Sequence, residues 1–330
     1  MFTMRYSMRT PLGCSAAERA DLYSATVDMC AWAEGKGAVA AVISQHHAAD
    51  DGYLPSPLPL AAAIAARTTT IPISIAALLL LHYEPVKLAE DLAVVDLISR
   101  GRVSAVLGLG YRDVEMAMFG VDRTTRGRLA EERIGQLRRL WAGETVDIDG
   151  RPAAVTPLPF TPGGPMLIGG GGSIPAMKRA ARLGMMVIAE NGNPALGEAY
   201  YAEAERCGIP PVGIMLPDPD ESQTFFVADD PDKGWAELGP YLLQDALSYA
   251  SWNTGRDGVV SLSQATTVEE LRAENGSYQI VPPARAAELV AQDRVLGLQP
   301  LCGGIPPQLA WPYLEAAAAA VARTAEVQGN

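Results

Sequence analysis

Short apolar runs alternate with helix-like segments along nearly the whole chain, and no other feature constrains the fold as strongly. Eight runs have the length and apolar character of strands: residues 4–10, 38–44, 71–79, 103–109, 166–168, 185–189, 223–228 and 298–302. Helix-like segments separate them, which favours parallel pairing of the strands. Eight strand–helix units predict a closed α/β fold, the (β/α)8 TIM barrel, with a doubly wound open sheet as the alternative.

Two segments are longer than the units of a barrel require. Residues 145–164 contain Asp149-Gly150, a dipeptide typical of a two-residue hairpin turn. Residues 252–283 are polar and rich in glycine and asparagine, which predicts a long surface loop with one short helix. We therefore expect a single domain over residues 1–330, with a hairpin insertion after the fourth strand and a loop, a candidate lid, after the seventh.

The chain is acidic, and this excludes several classes of partner. It has 26 Lys and Arg against 38 Asp and Glu, a formal net charge of −12. Nucleic acids and anionic membrane surfaces are bound by clustered basic residues, so neither partner is expected. The most apolar run, residues 71–81, is shorter than the roughly 20 residues that span a bilayer, and residues 1–9 lack the apolar core of a signal peptide. We therefore predict a cytoplasmic protein.

Cysteine and histidine usage argues against a metal centre. The cysteines Cys14, Cys30, Cys207 and Cys302 form no CxxC pair, and we expect them to be buried structural thiols. The three histidines and the acidic residues 50–51 offer an alternative, a divalent-ion site, but neither HxH nor HExxH spacing occurs. No metal is predicted.

All three histidines follow predicted strands. His46 and His47 come directly after the second strand, and His82 comes after the third. In a barrel these positions lie at the carboxyl rim, where active sites are built. Histidine suits proton exchange near neutral pH, so the three are candidate acid–base or ligand-contacting residues. The alternative is that they are loop histidines bonded to the backbone.

A run of glycines between a strand and a helix is a candidate phosphate site. Residues 169–172 are four glycines, and Ser173 follows them. Glycines let backbone N–H groups approach a phosphate, and the dipole of the following helix favours the negative charge. The alternative is a tight turn with a capping serine.

A second glycine-containing segment, LGLGYRD, follows the fourth strand at residues 107–113. Gly108 and Gly110 permit close approach of the backbone to a flat ligand. Arg112 could pair with a carboxylate or phosphate of a ligand, or with Glu115 in a structural pair.

Together these segments resemble the luciferase-like monooxygenase family, the flavin- and deazaflavin-dependent (β/α)8 enzymes that include bacterial luciferase. The similar segments are ISQHH (43–47), ISIAALLLLHYEPVKLAED (73–91), GRVSAVLGLGYR (101–112), FGVD (119–122) with Arg126, Glu131, Leu137 and Trp141, and MLIGGGGS (166–173). The resemblance covers roughly residues 4–249, and the combination of segments makes it specific.

The resemblance implies a role for individual residues. His46 takes the position of the family's catalytic histidine near the flavin, although Gln45 stands where the family often has an acidic residue. A non-prolyl cis peptide under the flavin ring maps to Ala76-Ala77. The implied cofactor contacts are Ala76, Ala77, Gly108, Gly110, Gly170, Gly171, Gly172 and Ser173, and the implied residues near the substrate are His47, His82 and Arg112.

The resemblance also implies an activity. It indicates a monooxygenase that uses FMN, reduced by a separate flavin reductase, together with O2 to oxidise a small organic substrate. One alternative is hydride transfer from reduced coenzyme F420, which the family also supports. A second alternative is a flavin-binding barrel without catalytic activity.

A homodimer is expected as well. Residues 58–66 and 85–99 carry more small and apolar side chains than one face of a barrel helix requires, and the family usually dimerises through helices on this side. The alternative is ordinary burial of each helix against its own barrel.

Overall fold

The computed structural model describes residues 1–218, 224–253, 259 and 262–328, with side chains described as far as residue 324. The strands are β1 (Phe2–Tyr6), β2 (Ala38–Ile43), β3 (Ile73–Leu79), β4 (Val103–Gly108), β5 (Val146–Ile148), β6 (Arg151–Ala153), β7 (Met166–Gly171), β8 (Val187–Ala189), β9 (Ile214–Met215), β10 (Thr224–Val227), β11 (Tyr278–Val281) and β12 (Leu296–Leu298).

The helices connect and cover these strands. They are α1 (Ala16–Glu34), α2 (Pro57–Arg67), α3 (Pro85–Ser99), α4 (Asp113–Met118), α5 (Arg126–Trp141), α6 (Ile174–Arg182), α7 (Pro194–Cys207), α8 (Pro231–Trp252), α9 (Val268–Glu274), α10 (Pro283–Ala291) and α11 (Pro307–Gln328). Short 3-10 turns occupy Leu80–His82 and Cys302–Gly304.

Ten strands form one sheet in the order β11-β10-β12-β1-β2-β3-β4-β7-β8-β9. Every pairing in this sheet is parallel. Parallel strands must be joined by crossovers, and helices pack on the sheet in that role. The predicted alternation of strands and helices is therefore confirmed. All carboxyl ends of these strands face the same way, which gathers the loops that follow them.

Strands β9 and β11 lie where the sequence predicts none. β9 pairs with β8, and β11 pairs with β10 in a register that places Phe226 opposite Ile280. The expectation of a loop is therefore wrong for residues 278–281, although α9 provides the short helix expected nearby. Strand β11 reads YQIV, which is too short to show a period-2 pattern. Residues 254–258, 260 and 261 of this segment lie outside the described residues.

Several strand boundaries differ from those expected. The first strand is Phe2–Tyr6 rather than 4–10, and residues 7–10 continue it as a buried segment without strand pairing. The last strand is Leu296–Leu298, and the 3-10 turn at Cys302–Gly304 replaces the end of the predicted 298–302 strand. Residue 223 of the predicted 223–228 strand lies outside the described residues. These errors arise because buried apolar segments look alike whether or not they pair.

The 145–164 segment contains the antiparallel pair β5 and β6. Asp149 and Gly150 at its turn have φ of 52° and 78°, the left-handed conformations that a type I′ turn requires. The backbone N–H of Thr161 donates to the carboxylate of Asp96 on α3, at 2.6 Å, which ties the far end of this insertion to the barrel.

Polar side chains fasten the elements at the amino end of the strands. Glu34, the last residue of α1, accepts backbone N–H bonds from Thr70 and Ile71 at 2.6 and 2.8 Å. Burial disfavours its charge, but these bonds lower the pKa of Glu34 to about 2. Arg102 donates to the carbonyl oxygens of Ala65 and Ile71 at 2.9 and 2.8 Å. The entrance to β3 is thereby fixed from two sides.

Within the described ranges, no helix combines the length and the apolar character needed to cross a bilayer.

Candidate active site

The segment after β2 is held against its neighbours by its own polar groups. The side-chain oxygen of Gln45 accepts the backbone N–H of Leu79 at 2.9 Å, which joins the carboxyl ends of β2 and β3. The backbone N–H of His46 donates to the carbonyl of Leu54 at 3.1 Å. These bonds fix the position from which the His46 side chain projects.

Glu115, on α4, is the residue that orients His46. Its Oε1 accepts from His46 Nδ1 at 2.9 Å and from the backbone N–H of His47 at 2.7 Å, and Arg112 Nη1 lies 3.3 Å away. The Glu115 side chain has no exposed surface. Since a carboxylate can only accept, the proton of a neutral His46 is on Nδ1 and its lone pair is on Nε2. Arg112 takes the structural option foreseen for it, a pair with Glu115.

The pKa values of this pair follow from burial and mutual contact. Burial lowers the pKa of His46, and the bond to Glu115 opposes that effect only in part. Burial alone would raise the pKa of Glu115, but the bonds from His46 and His47 hold it below its ordinary value. At neutral pH the pair is therefore a carboxylate beside a neutral imidazole.

Aromatic rings enclose His46. Tyr53, Tyr111 and Trp252 make edge contacts with its imidazole, with ring centroids 4.9, 5.4 and 5.0 Å away. The guanidinium of Arg112 lies over the Trp252 ring at 4.0 Å. Trp252 ends α8, so α8 and the segment after β2 meet above the histidine.

A buried arginine lies beside this aromatic shell. Arg9 follows β1, pairs with Asp51, and has its Nε 3.0 Å from Asp245 Oδ1. Its guanidinium also lies within 4.8 Å of the ring centroids of Tyr53, Tyr249 and Trp252. Although burial disfavours the charge, Asp245 and Asp51 raise the pKa of Arg9 above its ordinary value. Sequence reasoning missed this cluster. Its one signal in the sequence was a charged residue, Arg9, within the predicted first strand.

His47 and His82 point away from this pair into a second cluster. The amide nitrogen of Gln45 lies 2.8 Å from His47 Nε2. His82 stacks on Phe119 with ring centroids 4.5 Å apart, and His47 contacts both rings. Burial, reinforced by His47, lowers the pKa of His82 to about 4. Within the described parts of the chain, neither ring nitrogen of His82 has a hydrogen-bond partner.

The ends of β3 and β4 approach each other closely. The Ala76–Ala77 peptide is cis, as the resemblance implies. A Cβ at Gly108 would lie 3.0 Å from that of Ala77, so a larger residue at Gly108 would crowd this contact. Gly110 has φ of +77°, and a Cβ there would lie 3.5 Å from His82 Nε2. The two glycines leave backbone, rather than side chains, facing the rim.

The glycine run forms the end of β7 and the turn into α6. Gly170 packs on the backbone of β4, since a Cβ there would lie 3.0 Å from the carbonyl oxygen of Leu107. Gly171 has φ of +137°, a conformation that favours glycine. Ser173 is the N-cap residue of α6, but its side chain makes no capping hydrogen bond. In the first turn of α6, Pro175 has no N–H and the Ala176 N–H donates to the Ser173 carbonyl at 3.0 Å, so the Ser173 hydroxyl and the Ile174 N–H are what this turn offers to an anion.

Two other features bear on where the site lies. A cavity of about 660 Å³ opens at the amino end of the strands, lined among others by Trp32, Lys36, Arg294 and Glu315. Barrel enzymes build their sites at the other end, so the candidate site is the histidine rim and not this cavity. In the part of the chain that the structure describes, no group of three or more His, Cys, Asp or Glu side chains could hold a metal ion.

The structure thus brings His46 together with Arg112, and His47 together with His82. Gly170, Gly171 and Gly172 face Leu107, Ala176 and Glu190, which belong to neither cluster. Sequence reasoning missed Glu115 as the partner of His46 and missed Tyr111 and Trp252 altogether. A partner for His46 that lies 69 residues away could be found only by knowing how the two loops meet.

Comparison with known proteins shows which proteins this chain is similar to. The family model described as luciferase-like monooxygenase matches residues 4–294. The oxygenase component of the flavin-dependent trigonelline monooxygenase of Acinetobacter baylyi is 27% identical over 125 residues, 37% of this chain and 35% of that protein. The F420-dependent glucose-6-phosphate dehydrogenase of Mycolicibacterium fortuitum is 28% identical over 223 residues, 62% of this chain and 65% of that protein.

Solved structures share the fold over almost the whole chain. Monooxygenase RslO1 from Streptomyces bottropensis superposes with a TM-score of 0.76 at 20% identity, covering 98% of this chain and 99% of that one. The oxygenating constituent of 3,6-diketocamphane monooxygenase from Pseudomonas putida, solved with FMN, gives 0.67 at 21% identity, covering 98% of each chain. These likenesses confirm the predicted TIM-barrel class.

Proposed function

Because this chain belongs to the luciferase-like monooxygenase family, we propose that it is a reduced-flavin-dependent monooxygenase acting on a small organic substrate. The observation that carries the proposal is the buried pair of Glu115 and His46 at the carboxyl rim, with Nδ1 bonded to Glu115 and Nε2 facing the hydroxyl of Tyr111. An imidazole held in one tautomer by a carboxylate is an arrangement suited to proton exchange with a reacting group.

The chain offers a place for the phosphate of FMN. The support is the turn at Gly170, Gly171, Gly172 and Ser173, where backbone replaces side chains and the serine hydroxyl makes no capping bond. The N-terminal end of α6 adds a favourable dipole for an anion. These features favour an anionic group such as a phosphate over a neutral group.

The flavin ring would lie against the ends of β3 and β4, where Ala77 and Gly108 present small surfaces. When bound, the reduced flavin supplies the electrons with which O2 oxidises the substrate. The protein's own contributions are orientation, exclusion of water by the aromatic shell, and a proton held or moved at His46 Nε2. Glu115 stabilises the imidazolium whenever His46 carries two protons.

Coenzyme F420 is the second candidate cofactor, because one relative that matches 62% of this chain is an F420-dependent dehydrogenase. Its reduced form would deliver hydride without O2. The relative from Acinetobacter is named as an oxygenase component, which supports a separate reductase as the partner of this chain if FMN is used.

One titration separates the two cofactors. Purified protein is titrated anaerobically with reduced FMN and with reduced F420, and binding is followed by the fluorescence of the cofactor or of the protein. We expect saturable binding of reduced FMN, followed by O2-dependent oxidation of a substrate panel. Preferential binding of F420 with O2-independent turnover would replace the monooxygenase by the dehydrogenase alternative, and binding of neither would contradict both.

A further inference from the structure

The hydroxyl of Tyr111 lies against the one nitrogen of His46 that Glu115 leaves uncommitted. Tyr111 Oη is 3.4 Å from His46 Nε2, and the two rings meet edge to face with centroids 5.4 Å apart. This is a long hydrogen bond, and such bonds in ligand-free sites commonly tighten when substrate binds. Glu115, His46 and Tyr111 therefore form a continuous carboxylate–imidazole–hydroxyl series.

The direction of the hydrogen bond follows from its neighbours. Glu115 accepts from Nδ1, so a neutral His46 offers a lone pair at Nε2. On the other side, the side-chain N–H of Asn253 donates to Tyr111 Oη at 3.4 Å. The oxygen accepts from Asn253, which leaves its own hydrogen able to donate to His46 Nε2. The hydroxyl can thus donate to the imidazole and accept from a further group in the same arrangement.

Burial decides which of the two residues a ligand can reach. His46 is only 7% exposed, covered by Tyr53, Trp252 and Tyr111 itself, whereas Tyr111 is half-buried. The backbone of Tyr111 is also held in place, since Arg123 donates to its carbonyl oxygen at 2.9 Å. A substrate at the rim therefore meets Tyr111 before it meets the imidazole.

We propose that Tyr111 is a further catalytic residue, which carries a proton between the substrate and His46; the proposal rests on the function proposed above. When a substrate hydroxyl is deprotonated, its hydrogen passes to Tyr111 Oη while the phenolic hydrogen passes to His46 Nε2. The electron pair of the broken O–H bond stays on the substrate oxygen, and Glu115 pairs with the imidazolium. The reverse sequence returns the proton, so no net charge is created and no redox partner is needed for this step.

The activity test compares two tyrosine-to-phenylalanine variants in the intact protein. Tyr111→Phe removes the hydroxyl at Nε2, and we expect kcat to fall by about 10²-fold, the lower end for lost acid–base catalysis, with KM little changed. Tyr201→Phe is the matched control, because Tyr201 lies on α7, is 49% exposed and makes its ring contact with Tyr200, outside the histidine rim. Its kcat should remain near that of the unaltered protein once any loss of stability is taken into account.

A second readout needs neither cofactor nor turnover. An O–H group that donates to Nε2 stabilises the neutral imidazole, so its removal should raise the pKa of His46 in an NMR titration. Glu115, Arg112 and Arg9, the charged groups that act on His46, are the same in both variants. An unaltered His46 titration in Tyr111→Phe, or an unimpaired kcat, overturns the proposal. If no cofactor supports turnover, the proposed function fails, while the titration still decides whether Tyr111 is bonded to His46.

Discussion

The two nitrogens of the His46 ring face different partners, and this asymmetry gives the residue one defined protonation pattern. Nδ1 is bonded to Glu115, and Nε2 faces Tyr111. Glu115 also accepts the backbone N–H of His47 and lies 3.3 Å from Arg112. If His46 is replaced, the Glu115 carboxylate therefore keeps two partners, the backbone N–H of His47 and the side chain of Arg112. A substitution at His46 then reports the loss of the imidazole and not the effect of a buried carboxylate left without a partner.

His46→Ala should lower turnover by about 10²–10⁴-fold, the usual range for the loss of a general acid or base. Flavin binding should change little, because the proposed phosphate contacts at residues 170–173 lie elsewhere. Turnover and cofactor affinity, measured on the same preparation, check this prediction. Retention of full turnover on the true substrate would remove His46 from the chemistry.

His47→Ala is the companion variant. The His47 ring packs against His82 and Phe119 and not against Glu115. We therefore expect a smaller loss of turnover than in His46→Ala, together with some loss of stability from the emptied space. Equal losses in the two variants would contradict the distinction that the structure draws between them.

Ser173 offers a clean test of the phosphate site. Its side chain makes no capping hydrogen bond, so Ser173→Ala should leave the free energy of unfolding nearly unchanged, unlike a typical N-cap substitution. A lost hydrogen bond to a charged phosphate corresponds to about 1.5–3 kcal/mol, or roughly 10- to 100-fold weaker FMN binding.

Riboflavin, which lacks the phosphate, is the control ligand for that experiment. Ser173→Ala should bind riboflavin as well as the unaltered protein does. A variant that loses affinity equally for both ligands would show that the serine supports the turn and not the phosphate. Binding is measured by quenching of flavin fluorescence, so the result does not depend on catalysis.

At the scale of the elements, Arg9 joins parts of the chain that are distant in sequence. It follows β1, pairs with Asp51 in the segment after β2, and contacts Asp245 on α8. Tyr278 at the start of β11 donates to the other oxygen of Asp245 at 2.7 Å. One buried guanidinium therefore links four elements around the rim, and α8 carries Trp252 of the aromatic shell.

Arg9→Met should destabilise the protein by roughly 3–5 kcal/mol, because breaking a buried ion pair leaves uncompensated charge in the interior. Burial already raises the pKa of Asp245, and removal of Arg9 raises it further. A carboxyl whose pKa is higher folded than unfolded binds more protons when folded, so the loss should shrink as pH falls from neutral toward about 4. Urea unfolding across this range measures both effects.

An exposed pair supplies the control. Arg67 on α2 lies 3.3 Å from Asp28, and both side chains are more than 60% exposed. Arg67→Met should cost less than about 1 kcal/mol with little dependence on pH. If Arg9→Met were no more destabilising than this surface variant, the buried cluster would contribute little to the fold.

Sequence patterns predict the longer strands well and the shortest strands poorly. In strands β2, β3 and β4 the only polar side chains are Ser74 and Ser104, and these strands fall close to their expected positions. Strands β9 and β11 have two and four residues, too few for any period to show. The candidate site likewise contains residues that the sequence indicates and residues that it does not. His46 follows from its place after a strand, whereas Glu115 and Arg9 become visible only when the loops meet.

At the scale of the whole molecule, the outer face of α3 exposes apolar side chains that do not pack against the barrel. Val94, Leu97 and Ile98 on α3 are 45%, 38% and 42% exposed. Phe160, from the insertion that α3 holds through Asp96, is 55% exposed. Clustered exposed apolar side chains mark interaction surfaces, which supports the expectation of a dimer through this side.

Ile98→Lys should therefore weaken the dimer, because it places a charge at the centre of a surface that must be desolvated on association. Light scattering over a range of micromolar concentrations should show a dimer for the unaltered protein and a shift toward monomer for the variant. Val212→Lys is the matched control, since Val212 is 61% exposed and follows α7, away from α3. A monomeric unaltered protein would refute the dimer.

The bonds made by Glu34 and Arg102 place part of the support of the fold at the end of the barrel opposite the candidate site. They secure the amino end of the barrel without contributing a side chain to the histidine rim. Changes in the rim loops that leave the Arg9 cluster intact should therefore leave the start of β3 as firmly held as before.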